Sequence, residues 1–137
     1  MGFEPHHIYH VFNQGNNQQL IFQSENDYQT FLNYITKLLL PDCNMIAYSL
    51  LPNHFHFQLQ AKDSCQKLIK QGGLRIDPLT NCIRKLLSGY ARLFNAQYKQ
   101  NGQFISSKNE IEMSYPGKQA DYRLYVIRLL LHVFSLH

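Results

Sequence analysis

Residues 54–60 read His-Phe-His-Phe-Gln-Leu-Gln, and so strict an alternation of polar and apolar side chains leaves little choice of backbone. A period of two puts Phe55, Phe57 and Leu59 on one side of a β-strand and His54, His56, Gln58 and Gln60 on the other. Pro52-Asn53 supplies a turn directly before it, and Met45 to Leu51 reads as another strand, so the simplest arrangement is an antiparallel hairpin at the centre of a sheet. His54 and His56 then share a face. Positions two apart on a strand are roughly 6.5–7 Å apart at Cα, close enough for both imidazoles to lean onto one divalent cation. Histidines on a half-buried strand also serve simply as polar groups facing solvent, and the residues alone leave both readings open.

Helical periods flank this hairpin. Ser24 with Asp27 three residues on approximates a capping box, and Tyr28, Phe31, Leu32, Ile35, Leu38 and Leu39 recur at helical spacing up to Pro41, which predicts a helix over 25–39. Asp77-Pro78 opens a second helix, with Leu79, Cys82, Ile83, Leu86, Leu87, Tyr90, Leu93 and Phe94 as its apolar face and Asn101-Gly102 as its end. A further face lines up Lys85, Arg92 and Lys99, which suits phosphate contact and a solvated face equally. His7–Phe12 predicts a first strand, broken by a turn at Asn13–Asn17 and followed by a short apolar return at Leu20-Ile21-Phe22. Residues 62–76 have no clear period, and Gly72-Gly73 marks a mobile loop. Strand-like pieces follow at Phe104-Ile105 and Ile111–Met113, and Pro116-Gly117 turns the chain into a last helix. The order predicts an α+β protein with a ferredoxin-like βαββαβ antiparallel sheet, helices on one face and an added C-terminal helix.

Composition narrows the function classes. At 137 residues the chain fits one domain, 1–137, and 45% hydrophobic with 13% aromatic content argues against disorder. No apolar run is long enough for a bilayer and the start lacks a signal-peptide pattern, so the expectation is a cytoplasmic protein with no membrane partner. Cys43, Cys65 and Cys82 show no Cys-x-x-Cys spacing and read as reduced thiols packed in a core. A net charge of +4 tilts the chain toward an anionic partner.

Several segments carry a resemblance. Tyr9-His10-Val11, Gly15-Asn16-Asn17, Ile21-Phe22, Asp27-Tyr28 and above all Tyr48-Ser49-Leu50-Leu51-Pro52-Asn53-His54-Phe55-His56 resemble the insertion-sequence-200-type transposases. These are single-tyrosine enzymes of the HUH class, and the REP-associated tyrosine transposases look like the nearest branch. Tyr90-Ala91-Arg92-Leu93-Phe94-Asn95, followed by Tyr98 and Gly102, is similar to that family's second helix, so the likeness covers most of residues 7–128. The resemblance implies metal-dependent cleavage and rejoining of single-stranded or hairpin DNA. It implies that His54 and His56, with a third polar ligand, hold Mg²⁺ or Mn²⁺ at the scissile phosphate. A tyrosine of the C-terminal helix would then attack and leave a covalent 5′-phosphotyrosine. Lys85, Arg92 and Lys99 become the candidate DNA contacts. Homodimers are common in that family, and nothing in the residues themselves bears on assembly.

The C-terminal helix departs from the family's pattern. Leu129 stands where the tyrosine is expected, which leaves Tyr125, four residues earlier on the same helix face, as the candidate nucleophile, with Tyr122 about a further turn back. Val133 stands where a polar ligand is expected, and His10 and His132 are the candidates to replace it. From Leu129 to His137 the sequence diverges and stops as a frameshifted or decayed reading frame would, so the expectation is a domain truncated or divergent after about 128. The alternative reading is a catalytically inactive, decayed or domesticated DNA-binding domain of the same fold.

Overall fold

The computed structural model describes residues 2–100, 105 and 110–115. Along the chain run β1 (Ile8–Gln14), α1 (Glu25–Tyr34), β2 (Cys43–Leu51), β3 (His54–Ala61), β4 (Ile69–Gln71), β5 (Leu74–Ile76), α2 (Pro78–Tyr98) and β6 (Glu110–Tyr115). Four strands form one sheet in the order β2-β3-β1-β6, and every neighbouring pair is antiparallel. This is the order a βαββαβ chain adopts when each helical crossover carries it past one intervening strand, so the ferredoxin-like expectation holds.

Local chemistry starts both helices where the sequence predicts. Ser24 Oγ accepts from the Asp27 backbone N–H at 3.2 Å. The Asp27 carboxylate in turn accepts from Gln23 N–H at 2.8 Å and the Tyr98 hydroxyl at 2.7 Å, which pins the start of α1 to the end of α2. At α2, Asp77 accepts from Thr80 N–H at 2.9 Å and from Phe3 N–H at 3.0 Å, with Pro78 in the first turn. The predicted helix over 25–39 is α-helical only to Tyr34, and Ile35–Leu39 forms one wider π-type turn in which Leu40 N–H donates to Ile35 O at 3.3 Å. Pro41, which has no N–H to donate, follows at once. Lys99 ends α2 in the left-handed region at φ 54°, ahead of the expected Asn101-Gly102.

Both helices cover the Phe55 side of the sheet. Phe31 of α1 lies 5.3 Å from the Phe55 ring and 5.0 Å from that of Tyr90 on α2, and Tyr90 reaches Phe22 at 5.6 Å. The helices meet closely at Gly89, where a Cβ would come within 3.4 Å of the Tyr34 ring. Cys43 and Cys65 are buried and Cys82 is half-buried, all three as free thiols. Burial pushes the Cys43 thiol up to about 12 and the Cys65 thiol up to about 11, so both stay protonated at neutral pH.

Two expectations need correction. Residues 69–76 are not a loop: β4 and β5 pair as a hairpin whose two-residue turn is Gly72 (φ 57°) and Gly73 (φ 85°). Positive φ at both turn positions matches the twist of a hairpin and is cheap only for glycine, so the Gly-Gly step closes strands too short to show a period. The polar side of β3 does not face solvent either, since His56, Gln58 and Gln60 are all buried. β1 runs on through Asn13 and Gln14, so the turn begins at Gly15, and Ile105 meets Gly15 in an isolated bridge. The predicted C-terminal helix, with Tyr122, Tyr125, Leu129, His132 and Val133, lies outside the described residues. Among the described residues no helix is long and apolar enough to cross a membrane.

Candidate metal centre

The turn that leads into the histidines is held from outside itself. Gly15 N–H donates to Asn53 O at 2.9 Å, while Ile21 and Phe22 N–H both donate to Pro52 O at 2.8 and 3.1 Å. The loop after β1 therefore clamps the β2–β3 turn. Gly15 is required there by space, because a Cβ would lie 2.1 Å from the Gln19 carbonyl oxygen. Inside the clamp, His54 Nδ1 lies 2.7 Å from Asn53 Oδ1. An amide oxygen only accepts, so His54 carries its proton on Nδ1 and keeps its lone pair on the buried Nε2.

His56 follows on the same side of β3 with no exposed surface. Its ring centre is 5.2 Å from that of His54 and the planes are nearly perpendicular, at 87°. Two imidazoles sharing one cation at about 2.1 Å per nitrogen hold their ring centres roughly 4.5–5.3 Å apart. The observed separation fits that requirement, and neutral imidazole suits first-row divalent ions. Phe12, opposite His56 across β1, lies nearly parallel to it at 5.6 Å. His10 Nε2 lies 2.9 Å from His56 Nδ1. With Nδ1 so engaged, Nε2 is the nitrogen of His56 that a cation would meet.

The structure thus brings His54 and His56 together and adds His10, Phe12 and Asn53 around them. His10 is not placed as a third ligand, because its Nε2 is turned to His56. Among the described residues no group of three or more His, Cys, Asp or Glu side chains is placed to hold a metal ion. The cationic stripe lies elsewhere. Lys85 and Arg92 are exposed on α2 and Lys99 is exposed at its cap, and α2 packs on the side of the sheet opposite the histidines. Burial first of all raises the Tyr9, Tyr28 and Tyr90 hydroxyls above the ordinary value of 10.0. Asn53 stood in the sequence motif only as a turn residue, and His10 could be put beside His56 only by the β1–β3 register.

Neither a protein-family model nor a curated relative matches the sequence. Solved structures do. A REP-associated tyrosine transposase bound to a REP hairpin superposes with a TM-score of 0.62 at 14% identity, covering 96% of this chain and 72% of that one. The fold is that of the single-tyrosine transposases. A second structure, a protein from Deinococcus radiodurans R1 described as a transposase, superposes with a TM-score of 0.55 at 11% identity, covering 96% of this chain and 93% of that one. At these identities the likeness is one of architecture, and it agrees with the resemblance carried by residues 48–56.

Proposed function

We propose that the protein binds single-stranded or hairpin DNA and, through His54 and His56, holds Mg²⁺ or Mn²⁺ for cleavage and rejoining of one strand. The observation that carries this reading is the perpendicular pair of imidazoles 5.2 Å apart, each with Nδ1 engaged by a neighbour. A divalent ion bound there supplies Lewis-acid polarisation of a phosphodiester oxygen. The chain's own residues do the rest. Asn53 and His10 orient the two imidazoles, and the clamp from Gly15, Ile21 and Phe22 holds the turn that carries them.

Tyr125 is the proposed nucleophile. Its phenolic oxygen gives up a proton and bonds to phosphorus while the bond from phosphorus to the 3′ oxygen breaks. The departing 3′ oxygen takes up a proton, leaving a 3′-hydroxyl and a 5′-phosphotyrosine. A 3′-hydroxyl from another strand reverses the exchange, with no ATP, because the phosphodiester energy stays in the linkage. Lys85, Arg92 and Lys99, across the sheet from the histidines, are proposed to grip flanking phosphates rather than the scissile one.

A second reading, DNA binding without cleavage, draws on Leu129 at the position where the family carries its tyrosine. One experiment separates the two. The protein is incubated with labelled single-stranded hairpin DNA and Mn²⁺, then resolved on a denaturing gel with mass analysis of any adduct. An adduct on Tyr125, lost in His56→Ala, supports the enzyme. Retained hairpin binding with no adduct, unchanged by His54→Ala, establishes the inactive binder.

A further inference from the structure

Histidine in water favours the tautomer with its proton on Nε2, which would block that nitrogen as a ligand, and the partner of the other nitrogen decides the matter in a protein. His54 has Asn53 for this purpose, within its own turn. His56 has no such neighbour in sequence. Its Nδ1 instead meets a residue from another strand, His10, at 2.9 Å.

The geometry of that contact is specific. The two rings are tilted by only 18° and their centres are 5.1 Å apart. An N–N distance of 2.9 Å with one ring radius at each end accounts for the whole of that separation, so the imidazoles meet edge to edge in nearly one plane. The N–H of one ring then points straight at the lone pair of the other. Antiparallel register explains how they meet: Phe12 stands opposite His56 and His10 opposite Gln58, which makes His10 the diagonal neighbour of His56. Phe12 lies against both rings, 4.7 Å from His10 and 5.6 Å from His56, and His10 is only 8% exposed.

We propose that His10 is a positioning residue for the metal centre: its Nε2 accepts the Nδ1 proton of His56 and so keeps His56 Nε2 as a metal ligand. The inference rests on the proposed function, since it concerns the same two-histidine site, but it assigns a task to a residue outside the proposed pair of ligands. In the opposite arrangement His10 donates, His56 is protonated on Nε2, and the site loses a ligand. The two histidines of the site are then oriented by different means, one by its own turn and one by a strand it pairs with.

The test uses the full chain with ¹⁵N-labelled histidine in three forms: wild type, His10→Gln and His10→Phe. Ring-nitrogen NMR at pH 8 reads the His56 tautomer without metal, and the spectrum of free Mn²⁺ reads its affinity. The wild type is expected to show His56 protonated on Nδ1. His10→Gln, whose amide oxygen also accepts, keeps that tautomer. His10→Phe loses it and binds Mn²⁺ about 10- to 100-fold more weakly, the usual cost of removing a residue that orients a ligand. Should His10→Phe fail to fold by circular dichroism, His10→Asn, polar but too short to reach, takes its place. An unchanged tautomer and an unchanged Mn²⁺ affinity in His10→Phe, or in the His10→Asn that replaces it, overturn the role of His10. A wild type that binds no Mn²⁺ while showing the Nδ1–H tautomer overturns the proposed function instead.

Discussion

β3 turns Phe55, Phe57 and Leu59 to one side of the sheet and His56, Gln58 and Gln60 to the other, and none of the six is more than 8% exposed. On the helix side, burial brings each ring a neighbour of its own kind. Phe55 and Phe57 lie 4.8 Å apart and both meet Phe31. On the other side the same depth is occupied by polar atoms, whose removal from water costs free energy that hydrogen bonds only offset. His56 is bonded to His10 at 2.9 Å and Gln60 donates to His6 O at 3.0 Å, but Gln58 Oε1 has no hydrogen-bond partner among the described residues. Leucine or phenylalanine would fill such positions at lower cost. Equal burial therefore covers two different surfaces, with apolar cohesion on one face and a row of polar groups on the other.

The comparison can be broken at several points. Phe57→Ala is expected to remove about 3–5 kcal/mol of stability in urea unfolding, the usual cost of a cavity at a buried ring. A loss below about 1 kcal/mol would show that the helix side is not the cohesive one. Gly15→Ala, which drives a methyl into the Gln19 carbonyl, should cost about 2–3 kcal/mol and weaken Mn²⁺ binding as the clamp on the Pro52-Asn53 turn loosens. Unchanged melting would detach the clamp from the site. Cys43, on the helix side of β2 opposite Ala61, gives a pH dependence. Its folded value, about 12, lies above the ordinary 9.0, so above pH 9 the unfolded chain gives up the proton that the folded chain keeps. Stability is full below that point and falls by about 1 kcal/mol per pH unit on the way to the folded value. Cys43→Ala should flatten the slope of melting temperature against pH between 9 and 10, and an equal slope would rule the thiol out as its source. Smallest of all, Gln58→Leu should raise stability by about 1 kcal/mol by removing a buried amide oxygen that has no hydrogen-bond partner among the described residues. A fall on that substitution would mean the polar row is cohesive too.

Much of this architecture was legible from residue order. The alternation at 54–60, the cap at Ser24 and the Asp77-Pro78 start are each local signals, and the elements they predict stand within a few residues of where they were placed. The β4–β5 hairpin escaped because three residues per strand cannot establish a period, although Gly72-Gly73 carried the turn signal. The π-type turn at Ile35–Leu39 escaped because a helix widened by one residue keeps its apolar spacing. At the site, His54 and His56 could be paired by counting along one strand. The contribution of His10 could not, since 46 residues separate it from His56.

What the sequence determined by itself is whatever depends on neighbours in the chain: a period of two that makes β3 a strand, helix caps, and an asparagine placed beside His54 to hold its proton. What only the tertiary structure decided is whatever depends on register and layering. Antiparallel pairing of β1 with β3 carries His10 to the edge of His56, and packing buries a polar row that alternation alone would have left facing water. The physical reason is that periodicity records which side of a strand a residue takes. What covers that side, and which strand supplies the next hydrogen-bond partner, are set by contacts between residues far apart in sequence.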